Sequence, residues 1–382
     1  MSTRSISRRG LLCGCAGLAA AGGIAGLADL GRAAAERRSA GGERLRIGYL
    51  PITDAAPLLV ADRAATGVAE PVLFRSWASL AEAFLIRQVD IVHLLMPMAV
   101  QLRFGLGAPA RILGWNHTNG SALTVAAGIT ELGQLAGTQV AIPFWWSIHN
   151  IVIQQLLRAH GLRPVIRGSA ARSAGTVELI VMSPSDMVPA LANGSISAFT
   201  VADPFNAAAE LRGIGRIHRF LGDLWRDHAC CALVVHEDLP ERRPIAAQAV
   251  VDTVVAAQLR IGADRPAAAR QLAGAYLPQP LPAITKALTY SDRLPVRHPA
   301  WQPQRIGFHP FPFPSFTSAL VTAMHDTVVD GDTRFLSGLD PNRVHGALVD
   351  DRFVRAALDH VGGPAAFGLP DRLTRTEEID PS

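Results

Sequence analysis

Short apolar runs alternate with longer stretches of helical period along this chain from residue 45 to about 201. Leu45-Arg46-Ile47-Gly48-Tyr49-Leu50 predicts a strand that Pro51 stops. Thr53 or Asp54 then stands where a cap is wanted for a helix over 57–65. Strands are predicted next at 72–77, 91–95 and 123–126, with helices at 80–87 and 97–105. A second set follows, with strands at 139–143, 177–181 and 196–201. Its helices run over 147–161, ended by Gly161, and 185–192, closed by Asn193-Gly194. Strands alternating with helices imply parallel β-α units, and two successive sets imply two lobes.

The apolar run 231–235 predicts a strand that returns to the first set. Residues 245–276 read as helical and alanine-rich. The stretch 278–314 is dense in proline and carries Phe308, Phe311 and Phe313. So many large apolar groups predict an extended segment laid over the lobes, not a solvated tether. Helices are predicted at 316–329 and 351–361, and the charged tail after Pro370 as loose. The expected class is α/β, with two α/β lobes joined by a hinge. Lobe 1 takes 36–128, lobe 2 takes 129–230, and 231–382 returns to lobe 1 and adds a C-terminal helical and extended segment.

With 382 residues, 49% hydrophobic and 18% charged, the composition is that of an ordinary globular protein. The formal charge is +4. Arg4, Arg8, Arg9 and Arg32 against Asp29 carry three of those charges, so the body without 1–35 is close to neutral. A near-neutral body with few aromatic residues argues against a nucleic-acid partner. Ser7-Arg8-Arg9-Gly10-Leu11-Leu12 reads as a twin-arginine signal, followed by a weakly apolar Ala/Gly/Leu run and the small residues Ala33-Ala34-Ala35. The expectation is a signal peptide over 1–35, cleaved after Ala35, and export to the periplasm.

Once Cys13 and Cys15 leave with the signal, Cys230 and Cys231 remain. Adjacent Cα atoms lie about 3.8 Å apart, below the usual disulfide span of roughly 4.4–6.8 Å, so two thiols are expected. Gly-x-Ser-x-Gly, Walker-type and His-Glu-x-x-His patterns are missing from the sequence, and no catalytic constellation, cofactor motif or standard metal spacing stands out. What recurs is polar or aromatic residues at the ends of predicted strands, where open α/β sheets bind ligands. The loop after the first strand also offers backbone N–H groups to an anion.

Several of these segments fall in a familiar order. They are Ser76-Trp77-Ala78, Leu95-Met96-Pro97-Met98, Thr118-Asn119-Gly120-Ser121, Ser147-Ile148-His149-Asn150, Pro184-Ser185-Asp186-Met187 and Val201-Ala202-Asp203-Pro204-Phe205-Asn206. The chain resembles the nitrate/bicarbonate branch of the ABC-importer binding proteins, close to the sulfonate and taurine binders. The resemblance implies a type II periplasmic binding fold and a monomeric, cofactor-free receptor, not an enzyme. That receptor would close on a small polar solute, such as nitrate, bicarbonate or a sulfonate, and dock on an ABC permease. It implies ligand contacts from Thr53, Asp54, Trp77, Asn119 and Ser121 on the first side. Ser147 and His149 would answer from the second, with Asp203 and Cys231 near the crossover. Where those binders carry a lysine that neutralises the anion, this chain has Cys231. Two other readings share the pattern: an enzyme similar to the thiamine-pyrimidine synthases, and a metal-handling receptor using His228-Ala229-Cys230-Cys231.

Overall fold

A computed structural model describes residues 44–64, 69–290 and 306–382. The predicted signal peptide, 1–35, lies outside the described residues. Five strands make one sheet: β1 (Leu45–Tyr49), β2 (Ala69–Leu73), β3 (Ile91–Leu95), β4 (Ala110–Trp115) and, from far along the chain, β11 (Cys231–His236). Their order is β2-β1-β3-β11-β4. β1 runs parallel to β2 and β3, whereas β11 lies antiparallel between β3 and β4. β3 and β11 are buried along their whole length. Apart from His93 in β3 and His236 at the end of β11, both read as apolar runs because both faces are covered.

The second sheet holds β5 (Ser121–Ala126), β6 (Gln139–Ile142), β7 (Arg163–Val165), β8 (Thr176–Val181), β9 (Ala198–Ala202) and β10 (Gly215–Phe220), in the order β10-β5-β9-β6-β8-β7. Pro71 and Pro164 sit on the edge strands β2 and β7. A residue without an N–H costs little there because the outer side has no partner strand. The chain passes between the sheets at 116–120 and comes back through 221–230. A boundary at 128 would have left β5 in the first lobe. β5 instead pairs with β9 and β10, because its apolar residues complete the second sheet.

Gly48 permits the helix Trp77–Leu85 to lie close on β1, since a Cβ there would stand 2.5 Å from Leu80 Cδ1. At the first crossover, Asn119 and Gly120 both take positive φ, 56° and 84°, which asparagine and glycine tolerate best. Gln258 clamps this crossover from the helix Pro244–Ala263, donating to Trp115 O and Asn116 O at 2.9 and 2.8 Å. That helix is the one among the described residues long and apolar enough to cross a membrane. It buries Val250, Val251, Val254, Val255 and Ile261 against the helices Ala56–Ala64 and Arg352–His360. The single helical stretch expected over 245–276 is broken at Asp264, whose side chain caps the next helix, Arg265–Leu272, at Ala267 N–H.

The proline-rich segment, expected to be extended throughout, is extended only over 306–313; before that Leu281–Leu288 forms a helix, because Pro280 and Pro282 fall at its start, where a missing N–H costs little. Gly307 pairs with Thr118 in both directions, and Pro310 O accepts from Trp115 N–H at 2.8 Å. Phe308, Phe311 and Phe313 are buried, Phe313 edge-on to Trp115 at 5.8 Å. The tail, expected loose, is held instead. Arg375 lies over the rings of Phe313 and Trp115 at 4.7 and 5.3 Å and pairs with Glu377. Trp225 Nε1 donates to Glu377 at 3.0 Å, and Asp380 N–H donates to Leu224 O at 2.8 Å. Several of the charges that suggested a loose tail are engaged on the second crossover: Glu377 accepts from Trp225, Glu378 pairs with Arg226, and Arg375 donates to Asp227 O.

Candidate ligand site between the lobes

Five segments meet where the two lobes face each other: the loop after β1, both crossovers, and the turns after β6 and β9. The loop after β1 forms a short 3-10 turn, Thr53–Ala55, ahead of the helix Ala56–Ala64. No side chain caps the turn. Thr53 reaches across to the other lobe, donating to Asp203 O from its N–H at 2.7 Å and from its hydroxyl at 2.9 Å. The N–H expected to be free for an anion is therefore occupied, because with the lobes together the Asp203 carbonyl lies nearest to it.

Asp54 is fully buried, and His117 of the first crossover places Nε2 at 2.9 Å from Asp54 Oδ2. The pair is at ion-pair distance but off the line of a hydrogen bond. Both carboxylate oxygens and both ring nitrogens consequently lack a directed partner. Burial opposes charge on His117, yet the Asp54 carboxylate outweighs it and holds the imidazole at about 10. Cys230 and Cys231 are buried thiols with their sulfurs 3.6 Å apart. One ligating atom from each of Asp54, His117, Cys230 and Cys231 falls within 4.8 Å of the others. Burial raises both thiols.

On the facing side, Ser121 Oγ and His149 Nε2 are 2.9 Å apart, and His149 Nδ1 has no partner. Burial, with His228 and His117 adding, lowers His149 to about 3, so the ring is neutral. Asp203 Oδ1 accepts from Ala207 N–H at 3.1 Å and from Tyr290 O–H at 3.3 Å. Burial raises Asp203 to about 7 in spite of these bonds.

The other expected site residues are placed differently. Ser147 Oγ accepts from Asn150 N–H at 3.1 Å and donates to Phe144 O at 2.8 Å, so it caps the helix Ile148–Ala159. A serine that starts a helix spends its hydroxyl on the unpaired amides there. Trp77 is the first residue of its helix, which Ser76 caps through Ser79 N–H. Trp77 is buried, and its indole N–H has no partner. Asn119 ties the crossovers together, donating from its N–H to His228 O at 2.9 Å and from its amide to Asp227 at 3.2 Å. Two further histidines line the site that the sequence pattern does not single out: His117 and, on β3, His93. His93 has two unpartnered ring nitrogens, and its ring centre is 6.3 Å from that of His117. Recognition of β4 would have exposed His117, which leaves that strand two residues past its end.

A family model described as the NMT1-like family matches residues 39–277. The chain belongs to the NMT1-like family. The nitrate/nitrite binding protein NrtA of Nostoc sp. is 27% identical over 242 residues, which are 56% of this chain and 53% of that protein. The chain spans about half the length of the curated relatives it matches. The solved periplasmic nitrate-binding protein NrtA from Synechocystis superposes with a TM-score of 0.73 at 18% identity, covering 88% of this chain and 94% of its own. The ligand-binding component of an ABC-type import system from Staphylococcus aureus, solved with zinc bound, gives 0.68 at 20%, covering 82% and 99%. These likenesses establish the fold of this NMT1-like protein as that of the periplasmic binding proteins, two α/β lobes on a double crossover. Local charge is unusual for an anion site. Among the described residues Arg87 is the one arginine or lysine buried outright, and it pairs with Asp238 at the far end of β11 from Cys231.

Proposed function

We propose that this NMT1-like protein is a solute receptor of an ABC-type importer. Exported to the periplasm by the twin-arginine route, it would bind one small polar solute between its lobes and present it to a membrane permease. One observation carries the reading: polar atoms from both sides of the lobe junction, on Asp54, His117 and His149, are buried without directed partners. Each such atom costs about 1–3 kcal/mol when left unmade, and a bound solute supplies what they lack. Thr53 and Asp203 then act as a latch. Closed and open forms interconvert, and a solute touching both lobes favours the closed one.

The solute classes suggested by the resemblance fit unevenly. Nitrate, bicarbonate or a sulfonate would meet the Asp54 carboxylate, and the His117 cation beside it is already paired to that carboxylate. An uncharged or positively charged solute suits this balance better. The test is a thermal-shift screen over oxyanions, sulfonates, amides, amines and metal ions, followed by small-angle scattering. A solute that raises the melting temperature should also shrink the radius of gyration. It should bind more weakly to His149→Ala. A stabilising solute that leaves the scattering curve and the His149→Ala affinity unchanged would refute closure at this site.

A further inference from the structure

Cys230 and Cys231 are neighbours in the chain, yet their sulfurs converge on one side. Cys231 opens β11 and Cys230 is the last residue of the crossover, free of the alternation a strand imposes. Two sulfurs each about 2.3 Å from a tetrahedral ion stand about 3.8 Å apart. Here they stand 3.6 Å apart. Asp54 and His117 complete a group of four ligating atoms within 4.8 Å of one another, all from buried side chains. An independent observation points the same way. Asp54 Oδ1 and Oδ2 and His117 Nδ1 and Nε2 lack directed hydrogen bonds, although neither side chain has any exposed surface. A buried carboxylate beside two thiols and an imidazole, with Oδ1 unpaired and Oδ2 facing only the His117 ring, is arranged for a cation and not for an oxyanion.

The geometry points to a binding site for one thiophilic divalent metal ion, held by Asp54, His117, Cys230 and Cys231, with that ion as the solute taken up by the cleft. Thiolate sulfur and imidazole nitrogen select the zinc class over calcium or magnesium, which take oxygen. Asp54 comes from the loop after β1, His117 from the first crossover, and Cys230 and Cys231 from the junction of the second crossover with β11. Asp54 directly follows Thr53, whose two bonds to Asp203 O close the lobes. An ion fixing Asp54 would therefore hold the neighbouring Thr53 in position for those two bonds. As cargo, the ion rests on the receptor reading; as a ligand of these four residues, it does not.

The test uses the full chain, stripped of metal and kept reduced, titrated with Co(II). The expected result is a single equivalent bound, with a thiolate-to-metal charge-transfer band and the intense visible bands of tetrahedral Co(II), both erased by Zn(II). Cys230→Ser and Cys231→Ser should each take away about half of the charge-transfer intensity, since each removes one of two thiolates. Asp54→Asn should keep the band and weaken binding. Absence of the band in the reduced wild-type chain, which needs no variant to fold, overturns the metal site and leaves the receptor reading standing. Scattering recorded on the same samples should show compaction on metal addition. A band without compaction overturns the ion as cargo.

Discussion

Replacing Asp203 with asparagine should stabilise the protein, and the gain should grow with pH. Burial holds this carboxyl at about 7, against 3.8 for an ordinary one. At about 1.4 kcal/mol per pH unit, that difference is a penalty of roughly 4 kcal/mol on the ionised form in the folded state. The native protein keeps the proton more tightly than the unfolded chain does. Stability is therefore lost as pH rises from about 4 through about 7, and levels off above. Asparagine keeps an oxygen where Oδ1 accepts from Ala207 N–H and Tyr290 O–H, so both bonds survive. Between pH 5 and pH 8 the advantage of the variant should grow by about 2–3 kcal/mol, several degrees in melting temperature. The comparison must be a difference between the two proteins at each pH. His149, His228 and His236 are held low by burial and withdraw stability as pH falls below the ordinary histidine range, which tilts both curves alike. Melting curves at half-unit steps decide the matter. Parallel curves, or an asparagine variant that melts below the wild type at pH 8, would refute the claim that Asp203 is strained by burial.

Two further outcomes are expected. Ser147→Ala should lower the unfolding free energy by about 1 kcal/mol through the lost helix cap while leaving metal affinity unchanged, as read by denaturant titration and Co(II) binding. Arg375→Ala should cost about 1–3 kcal/mol through its aromatic and carboxylate contacts. It should also speed hydrogen exchange at 224–228, and unaltered exchange there would free the tail from any part in the crossover.

Elements buried on both faces were the legible ones. β3 and β11 are mostly apolar because both sides are covered, with His93 and His236 the exceptions, and their pattern is visible without knowing the partner strands. β10 carries Arg216, His218 and Arg219 along an edge, and β4 opens on Ala-Arg, so neither stood out. The site was half visible for a related reason. Asp54 and Cys231 lie at strand ends, where ligand residues are sought. His117 joins them only through a crossover whose preceding strand went unrecognised, and Asp54 and His117 meet 63 positions apart in the sequence. Ser147 caps its helix, and in sequence a helix-starting serine looks the same whether it serves a cap or a ligand.

The fastening of 375–380 onto 224–228 makes two distant stretches of the sequence one module. Exchanging the second crossover for that of another family member, the obvious route to a receptor with new selectivity, would strand Glu377, Glu378 and Arg375 without the Trp225, Arg226 and Asp227 they engage. A graft confined to 221–231 should give a poorly folded chimera, whereas one that carries the matching tail along has the contacts it needs. The second crossover and the tail can be redesigned only together.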